Sequence, residues 1–319
     1  MEQLQVQLDR LVRENRHWCE QGKPADYIPE LSKQDPRMLG ISICDMQGQQ
    51  WHAGEWQAFF TIQSISKVVV FICMLLDNSF ENLIRKISVA PSADGFNSIM
   101  NLETKNEQRP LNPMINSGAI AGVTMVRGAT MEDKYQRVYT LMKSMADNEE
   151  LVVNQEVYTS EVLSGDRNRS LAYFMKSTGI INAEVDALLD VYFRLCSVEV
   201  TCADIARMGA VLAFDGKAPW SGEQLFDEKT ARIAKAVMTT CGMYDGSGDF
   251  AVDVGLPAKS GVGGGIMAVS PRHLGIAVFG PALDLKGNSL AGWKLLKCLS
   301  NEQDLSIFAS RKRHDIVCL

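Results

Sequence analysis

QSISKVVVFICMLLD, residues 63–77, is the stretch on which the reading of this sequence turns. It holds Ser64 and Lys67, the chain's only Ser-x-x-Lys spacing, at the head of an apolar run over 68–76. On a helix, residues three apart share a face, so the Lys67 amine can reach the Ser64 hydroxyl and remove its proton. On a strand the two side chains would point to opposite faces, and Val68, Val69, Val70 and Ile72 favour a strand on propensity. The catalytic reading therefore requires burial to override propensity and make this segment a helix. Lysine is a base only when neutral, so its pKa has to fall from about 10.4 towards roughly 7 to 8, through burial and a neighbouring positive charge. A chain of this length holds roughly one such spacing by chance, so the pair gains its weight from its surroundings.

Working outward, residues 3 to about 20 place Leu4, Leu8, Leu11 and Val12 on one helical face, with a stop at Gly22-Lys23-Pro24. Residues 39–45 alternate as a strand, Met46 to Gly48 reads as a hairpin turn, and a second strand follows at 50–54. Helical patterns then cover 64–77, 117–129, 131–146, 168–177, 183–195, 202–213 and 228–240. Short apolar segments at 250–254, 265–270 and 273–279, separated by Gly and Pro, read as strands before a last helix opening near Asn288-Ser289. Strands at both ends enclosing a helical middle predict an α+β, multi-layer fold: an antiparallel sheet flanked by terminal helices, plus a mainly helical subregion. With no linker or internal repeat, residues 1–319 form one catalytic unit, sheet-containing over about 1–63 and 241–319 and helical over about 64–240.

The bulk properties narrow the function. The 319 residues are 46% hydrophobic and 22% charged, enough to bury a substantial core. A net charge of -6 argues against nucleic acid as a partner. The one basic cluster, Arg311-Lys312-Arg313-His314, reads as a solvated tail. The N-terminal segment is charged and amphipathic, unlike a secretory signal, so a cytoplasmic location is expected. The run over 68–76 is far short of the roughly 20 residues of a membrane span. Eight cysteines without a C-x-x-C pair fit reduced, buried thiols, and four dispersed histidines fit no metal motif, so neither metal nor cofactor is expected.

A second motif faces the first. Lys259-Ser260-Gly261 resembles the K-T-G element that penicillin-recognising enzymes carry on a strand opposite the nucleophile. Lys259 is the candidate for the neighbouring positive charge. Gly261, Gly263, Gly264 and Gly265 would let substrate approach closely. The N–H of Val262, with that of Ser64, could form an oxyanion hole. A phosphate loop would need G-K-[ST] after the glycines, and no G-x-S-x-G elbow occurs.

Across nearly its whole length the chain resembles the glutaminase family. The match is carried by ADYIP at 25–29, QSISK at 63–67, NPMINSGA at 112–119, and Ser160-Glu161 with GDRN at 165–168. It continues through Tyr192-Phe193 with CSVEVTC at 196–202, CGMYD at 241–245 and GLPAKSGV at 255–262. Ser117 departs mildly, standing where Ala is common, and the length resembles the short bacterial form. The resemblance implies a β-lactamase/transpeptidase-like fold, L-glutamine as substrate, and a homodimer or homotetramer. It makes Ser64 the nucleophile and Lys67 its base, and places Tyr27, Asn116, Glu161, Asn168, Tyr192, Tyr244 and Val262 around the substrate. Glutamine carries an ammonium, a carboxylate and an amide. Glu161 suits the first, Asn116 and Asn168 the second, and tyrosine hydroxyls can orient the third or relay protons.

The expected mechanism is acyl transfer through a glutamyl-serine, with Tyr244 as candidate proton carrier and Lys259 holding the field positive. The rivals are a β-lactamase or peptidoglycan carboxypeptidase on the same scaffold, which the missing secretory signal disfavours, and a catalytically inactive glutamine sensor, which the presence of both Ser64 and Lys67 disfavours.

Overall fold

Both ends of the chain contribute strands to one antiparallel sheet. The computed structural model describes residues 2–92, 95, 97–99, 102 and 109–309; the basic run 311–314 lies outside them. Helix α1 (Glu2–Asn15) is followed by a 3-10 segment (Arg16–Gln21) and the hairpin β1 (Gly40–Cys44) and β2 (Gln50–Gly54). After β3 (Phe60–Thr61) come α2 (Ser66–Asp77), α3 (Phe80–Lys86), α4 (Asn116–Met125), α5 (Met131–Ala146), α6 (Gln155–Ser164), α7 (Asp166–Ser177) and α8 (Val185–Cys196). Then follow β4 (Glu199–Val200), α9 (Cys202–Ala213), α10 (Glu228–Cys241), α11 (Ser247–Asp253), β5 (Ala258–Ser260), β6 (Gly265–Ser270), β7 (Leu274–Phe279) and α12 (Leu290–Glu302). The large sheet runs β2-β1-β7-β6-β5, and β3 pairs with β4 in a separate two-stranded one.

Strand alternation sorts the sheet's two faces into two cores. Ile41, Ile43, Ile266, Ala268, Ile276 and Val278 pack with α1 and α12 residues such as Leu8, Leu11, Leu295 and Leu296. Met267, Val269, Ala277 and Phe279 face the helical layer and pack with α2 and α9. Register follows: Ser260 pairs with Ile266, while Lys259 pairs with Met267 and so shares the helical-layer face.

The helix over 66–77 answers the strand propensity of its valines. Residues 66–74 are all buried, so the segment is surrounded, and burial on all sides rewards an apolar run in either conformation. The backbone then closes its own hydrogen bonds as a helix, with no strand alongside. Among the described residues no helix is long and apolar enough to cross a membrane.

Two expectations are corrected. Residues 250–254 are not a strand: they close α11, where Phe250 and Val254 are 1% exposed and Val252 between them is 90% exposed, the i, i+4 spacing of a helix rather than the alternation of a strand. The sheet's last strand is the three-residue β5 beyond it. The N-terminal helix also ends earlier, at Asn15, whose side-chain amide donates to the Leu11 carbonyl at 2.9 Å, and continues as the 3-10 segment.

Candidate active site

Ser64 lies in a single 3-10 turn, Gln63–Ile65, at the head of α2. Gln63 adopts φ 48°, a left-handed conformation that costs a side-chain-bearing residue about 1–3 kcal/mol and needs surrounding bonds to hold it. Those bonds are present: the Ser66 hydroxyl donates to the Gln63 carbonyl at 2.7 Å, and the Gln63 amide donates to Thr61 Oγ1 at 3.2 Å.

Lys67 Nζ is hydrogen-bonded to Ser64 Oγ at 2.9 Å and to Asn116 Oδ1 at 2.6 Å. Ammonium can only donate, so Asn116 must present its oxygen to Lys67, which turns its Nδ2 outward to donate to Asn168 Oδ1 at 2.8 Å. Asn168 thereby directs its own Nδ2 away from this chain of bonds. Asn116 is fixed as the first residue of α4 by a tight turn: a Cβ on Gly118 would stand 1.9 Å from the Asn112 carbonyl. Asn112 itself accepts from Met114 N at 3.0 Å and donates to the Ala90 carbonyl at 2.9 Å.

Burial pulls the Lys67 pKa down to about 8, against the opposing influence of Cys196 and Glu161. A neighbouring cation would add to that fall, since repulsion between two amines acts on both. Lys259, expected to supply one, is itself held well below the usual lysine range, first by burial and then by the charge of Lys67. Its Nζ donates to the carbonyls of Gly242 at 3.0 Å and Ser260 at 2.6 Å and lies 4.3 Å over the Tyr244 ring.

Tyr244 has φ 56°, and its hydroxyl donates to the Ser260 carbonyl at 3.1 Å. Burial raises its pKa, and a hydrogen bond with Ser64 works against the rise. Glu161, on α6, is 5% exposed, and its Oε1 has no hydrogen-bond partner among the described residues. Burial raises that carboxyl to about 7, opposed by a hydrogen bond with Gln63 and the charge of Lys67. A buried carboxylate oxygen left without a donor is costly and suits a cationic ligand group.

Tyr192, on α8, is buried, with its ring centroid 5.9 Å from Lys67 Nζ, and burial holds its hydroxyl well above the ordinary range. Tyr27 is 51% exposed as a residue, and burial, Tyr244 and Glu161 all raise its hydroxyl pKa. Val262 packs with Tyr244 in the loop between β5 and β6. Cβ atoms on Gly261 and Gly263 would stand 2.8 Å from the Ile62 carbonyl and 2.5 Å from the Thr61 carbonyl, so only glycines let this loop lie against the segment that leads into Ser64. Neither the Ser64 nor the Val262 N–H donates to a backbone carbonyl of the described residues.

Every residue singled out in the sequence thus falls into one connected constellation. Gln63, Ser66 and Cys196 belong to it without having been singled out. Gln63 and Ser66 flank Ser64 in the quoted stretch. Cys196, which interacts with Ser66 and Tyr192, stands one helical turn beyond Tyr192, a spacing that places it on the same face.

An antiparallel sheet with helices on both faces, and a serine–lysine pair at the head of a buried helix, define a β-lactamase-like fold. The Glutaminase family model matches residues 22–308. A glutaminase of Clostridium tetani (strain Massachusetts / E88) is 52% identical over 305 residues, 96% of this chain and 100% of the relative. One from Clostridium botulinum (strain Loch Maree / Type A3) is 50% identical over 301 residues, 94% and 99% of the two chains. The solved structure of a probable glutaminase from Bacillus subtilis aligns with TM-score 0.90 at 39% identity, covering 96% of this chain and 98% of that one. A Bacillus subtilis glutaminase in covalent complex with 5-oxo-L-norleucine, formed by reaction with 6-diazo-5-oxo-L-norleucine, aligns with TM-score 0.87 at 39% identity over 95% and 99%. The chain belongs to the glutaminase family.

Proposed function

We propose that this chain hydrolyses L-glutamine to L-glutamate and ammonia through a covalent glutamyl-Ser64. The observation that carries the proposal is the 2.9 Å bond between Ser64 Oγ and Lys67 Nζ, made by an amine whose pKa burial brings to about 8. Near neutrality a useful share of Lys67 is then unprotonated and can accept the serine proton. Ser64 attacks the carboxamide carbon, and the N–H groups of Ser64 and Val262 hold the oxyanion. Tyr244, hydrogen-bonded with Ser64, delivers a proton to the departing ammonia, and water then cleaves the ester.

Glu161 pairs the substrate's ammonium through its unpartnered Oε1. Asn168 Nδ2, oriented by the Lys67–Asn116–Asn168 chain of bonds, donates to the substrate's carboxylate, with Asn116 beside it. Tyr27 and Tyr192 close the pocket around the side chain. The covalent adduct in the related Bacillus subtilis glutaminase supports a nucleophilic route. Sheet and helical layers act as one catalytic unit on this scheme, because Ser64 heads α2 while Val262 follows β5.

The test is a coupled assay for glutamate and ammonia with L-glutamine, a penicillin-type β-lactam and the Ser64→Ala protein in parallel. Turnover of glutamine alone, abolished in a folded Ser64→Ala protein, is expected. Substantial glutamine turnover in that variant defeats the scheme.

A further inference from the structure

Among the described residues six non-glycine positions have φ well above zero: Gln63, Asp147, Asp215, Tyr244, Arg272 and Asp304. Three are aspartates, which tolerate that region, whereas a bulky aromatic adopts it only where its surroundings impose it. Tyr244 is the one aromatic among them, and it stands in the site. Ser247, itself buried, supplies the constraint. Its hydroxyl accepts from the Met243 N–H at 3.1 Å and donates to the Tyr244 carbonyl at 2.8 Å. One oxygen thus ties together the two ends of the Met243-Tyr244 dipeptide, inside which the φ of Tyr244 lies.

The turn is anchored at its other end by β5. The Gly242 carbonyl accepts from Ser260 N at 3.1 Å, and a Cβ on Gly242 would stand 1.7 Å from the Ala258 carbonyl. With Gly242 held against the strand, the backbone angles of Met243 and Tyr244 decide where their side chains go. Met243 enters the core shared with the terminal helices, and Tyr244 packs with Val262 instead. The Tyr244 hydroxyl then reaches the Ser260 carbonyl at 3.1 Å and Ser64. Relaxing φ to the ordinary negative range would turn the ring and carry its hydroxyl away from both. The same device recurs at Gln63, φ 48°, whose carbonyl accepts from the hydroxyl of Ser66 three residues on, at 2.7 Å.

We propose that Ser247 is a positioning residue of the reaction, its hydroxyl holding Tyr244 in the left-handed conformation that aims the phenol at the departing nitrogen; the inference rests on the Ser64 scheme above. Both hydrogen bonds of the Ser247 hydroxyl go to backbone, so it acts through Tyr244. Its loss weakens the step that needs Tyr244, protonation of the leaving ammonia, and spares the others. Glu161, Asn116 and Asn168 still hold the glutamyl part, and Lys67 still takes the serine proton.

The experiment measures glutamate release from L-glutamine and from the γ-methyl thioester of L-glutamate, in the parent chain and in Ser247→Ala, Ser247→Thr, Tyr244→Phe and Ser64→Ala. With the thioester the Ser64 Oγ–carbon bond forms, the C–S bond breaks and the serine proton passes to Lys67. Methanethiolate leaves with the bonding electrons and needs no proton from Tyr244. Ser247→Ala is expected to lower kcat/KM for glutamine about 10-fold to 100-fold, as a small misplacement of a reacting group does. For the thioester the same variant should keep kcat/KM within about twofold, since no general acid is called on. Tyr244→Phe should show the same selective loss, and Ser247→Thr, which keeps a hydroxyl, should restore most of the glutamine rate. Equal losses on the two substrates, as general loosening of the site gives, overturn the proposal. So does an undiminished glutamine rate in Ser247→Ala, or Ser247→Thr no better than Ser247→Ala. Melting curves establish that each variant is folded; if Ser247→Ala is not, Ser247→Cys, of similar size and weaker in hydrogen bonding, takes its place in the same comparison. Glutamine turnover surviving in Ser64→Ala brings down the Ser64 scheme first and the inference with it.

Discussion

Replacing Lys67 by Met should destroy activity and raise thermal stability at the same time. Burial lowers the Lys67 pKa from 10.5 to about 8, which lifts its neutral fraction near pH 7.5 from about one in a thousand to about one in four. The same burial disfavours the folded state. The folded pKa lies below the unfolded one, so the penalty is absent above about 10.5, grows as pH falls, and is complete below about 8. At pH 7 it amounts to about 3 kcal/mol, at about 1.4 kcal/mol per pH unit. Methionine matches the lysine stem and carries no charge, leaving Asn116 Oδ1 and Ser64 Oγ without the Lys67 donor at about 1 kcal/mol each. The net gain of about 1 kcal/mol corresponds to a rise of about 1.5 °C in melting temperature for a chain of this length. Loss of the base should lower kcat by about 100-fold to 10,000-fold. Calorimetry at pH 7 and the ammonia assay read the two effects independently. A variant that melts below the parent, or keeps more than about a tenth of its activity, refutes the reading of Lys67 as a base held at the expense of folding.

The Glu161 carboxyl, raised to about 7 by burial, must be ionised to pair the substrate's ammonium, so kcat/KM should climb with pH through about 7 and again towards 8 as Lys67 deprotonates. Glu161→Gln should raise KM by about 100-fold, as loss of a buried charge pair does, and remove the first step of that profile; an unchanged profile in the variant rules out the pairing. Gly118→Ala puts a Cβ 1.9 Å from the Asn112 carbonyl and should destabilise by about 2–3 kcal/mol, read as a melting temperature lower by about 4 °C; an unshifted melt shows that the turn before Asn116 has slack.

What could be read from the sequence follows from where the signals are local. Helices at 131–146 and 202–213 were legible to the residue because each opens with a capping box, Thr130 with Asp133 and Thr201 with Asp204, and such boxes announce a helix start in the sequence. Helix α6 escaped because its buried positions are only Val157 and Glu161, which make no apolar stripe for periodicity to find. Residues 250–254 misled because five residues with apolar 250, 252 and 254 fit a strand as well as a helix, and only the exposure of Val252 separates the two. In the site, the Ser64–Lys67 pair is a local spacing with a physical meaning. Asn116, Glu161, Asn168, Tyr192 and Tyr244 come from separate elements, and spacing carries no information about their meeting. Only the family resemblance gathered them.

Lys67 and Lys259 are both pushed down by burial, and the repulsion between two such amines is mutual. Lys259 Nζ donates to the carbonyls of Gly242 and Ser260. Those carbonyls belong to the turn before Tyr244 and to the strand that its hydroxyl reaches, so Lys259 acts as a strut behind Tyr244. Glu161 acts on Lys67 in the other direction: after Cys196, its negative charge raises the Lys67 pKa. On the proposed scheme the substrate's ammonium pairs that carboxylate and cancels its influence, so the arrival of substrate itself lowers the base further into its working range. Recognition of the ammonium and activation of the nucleophile are then one electrostatic event, and a glutamine analogue lacking the ammonium should lose kcat as well as affinity.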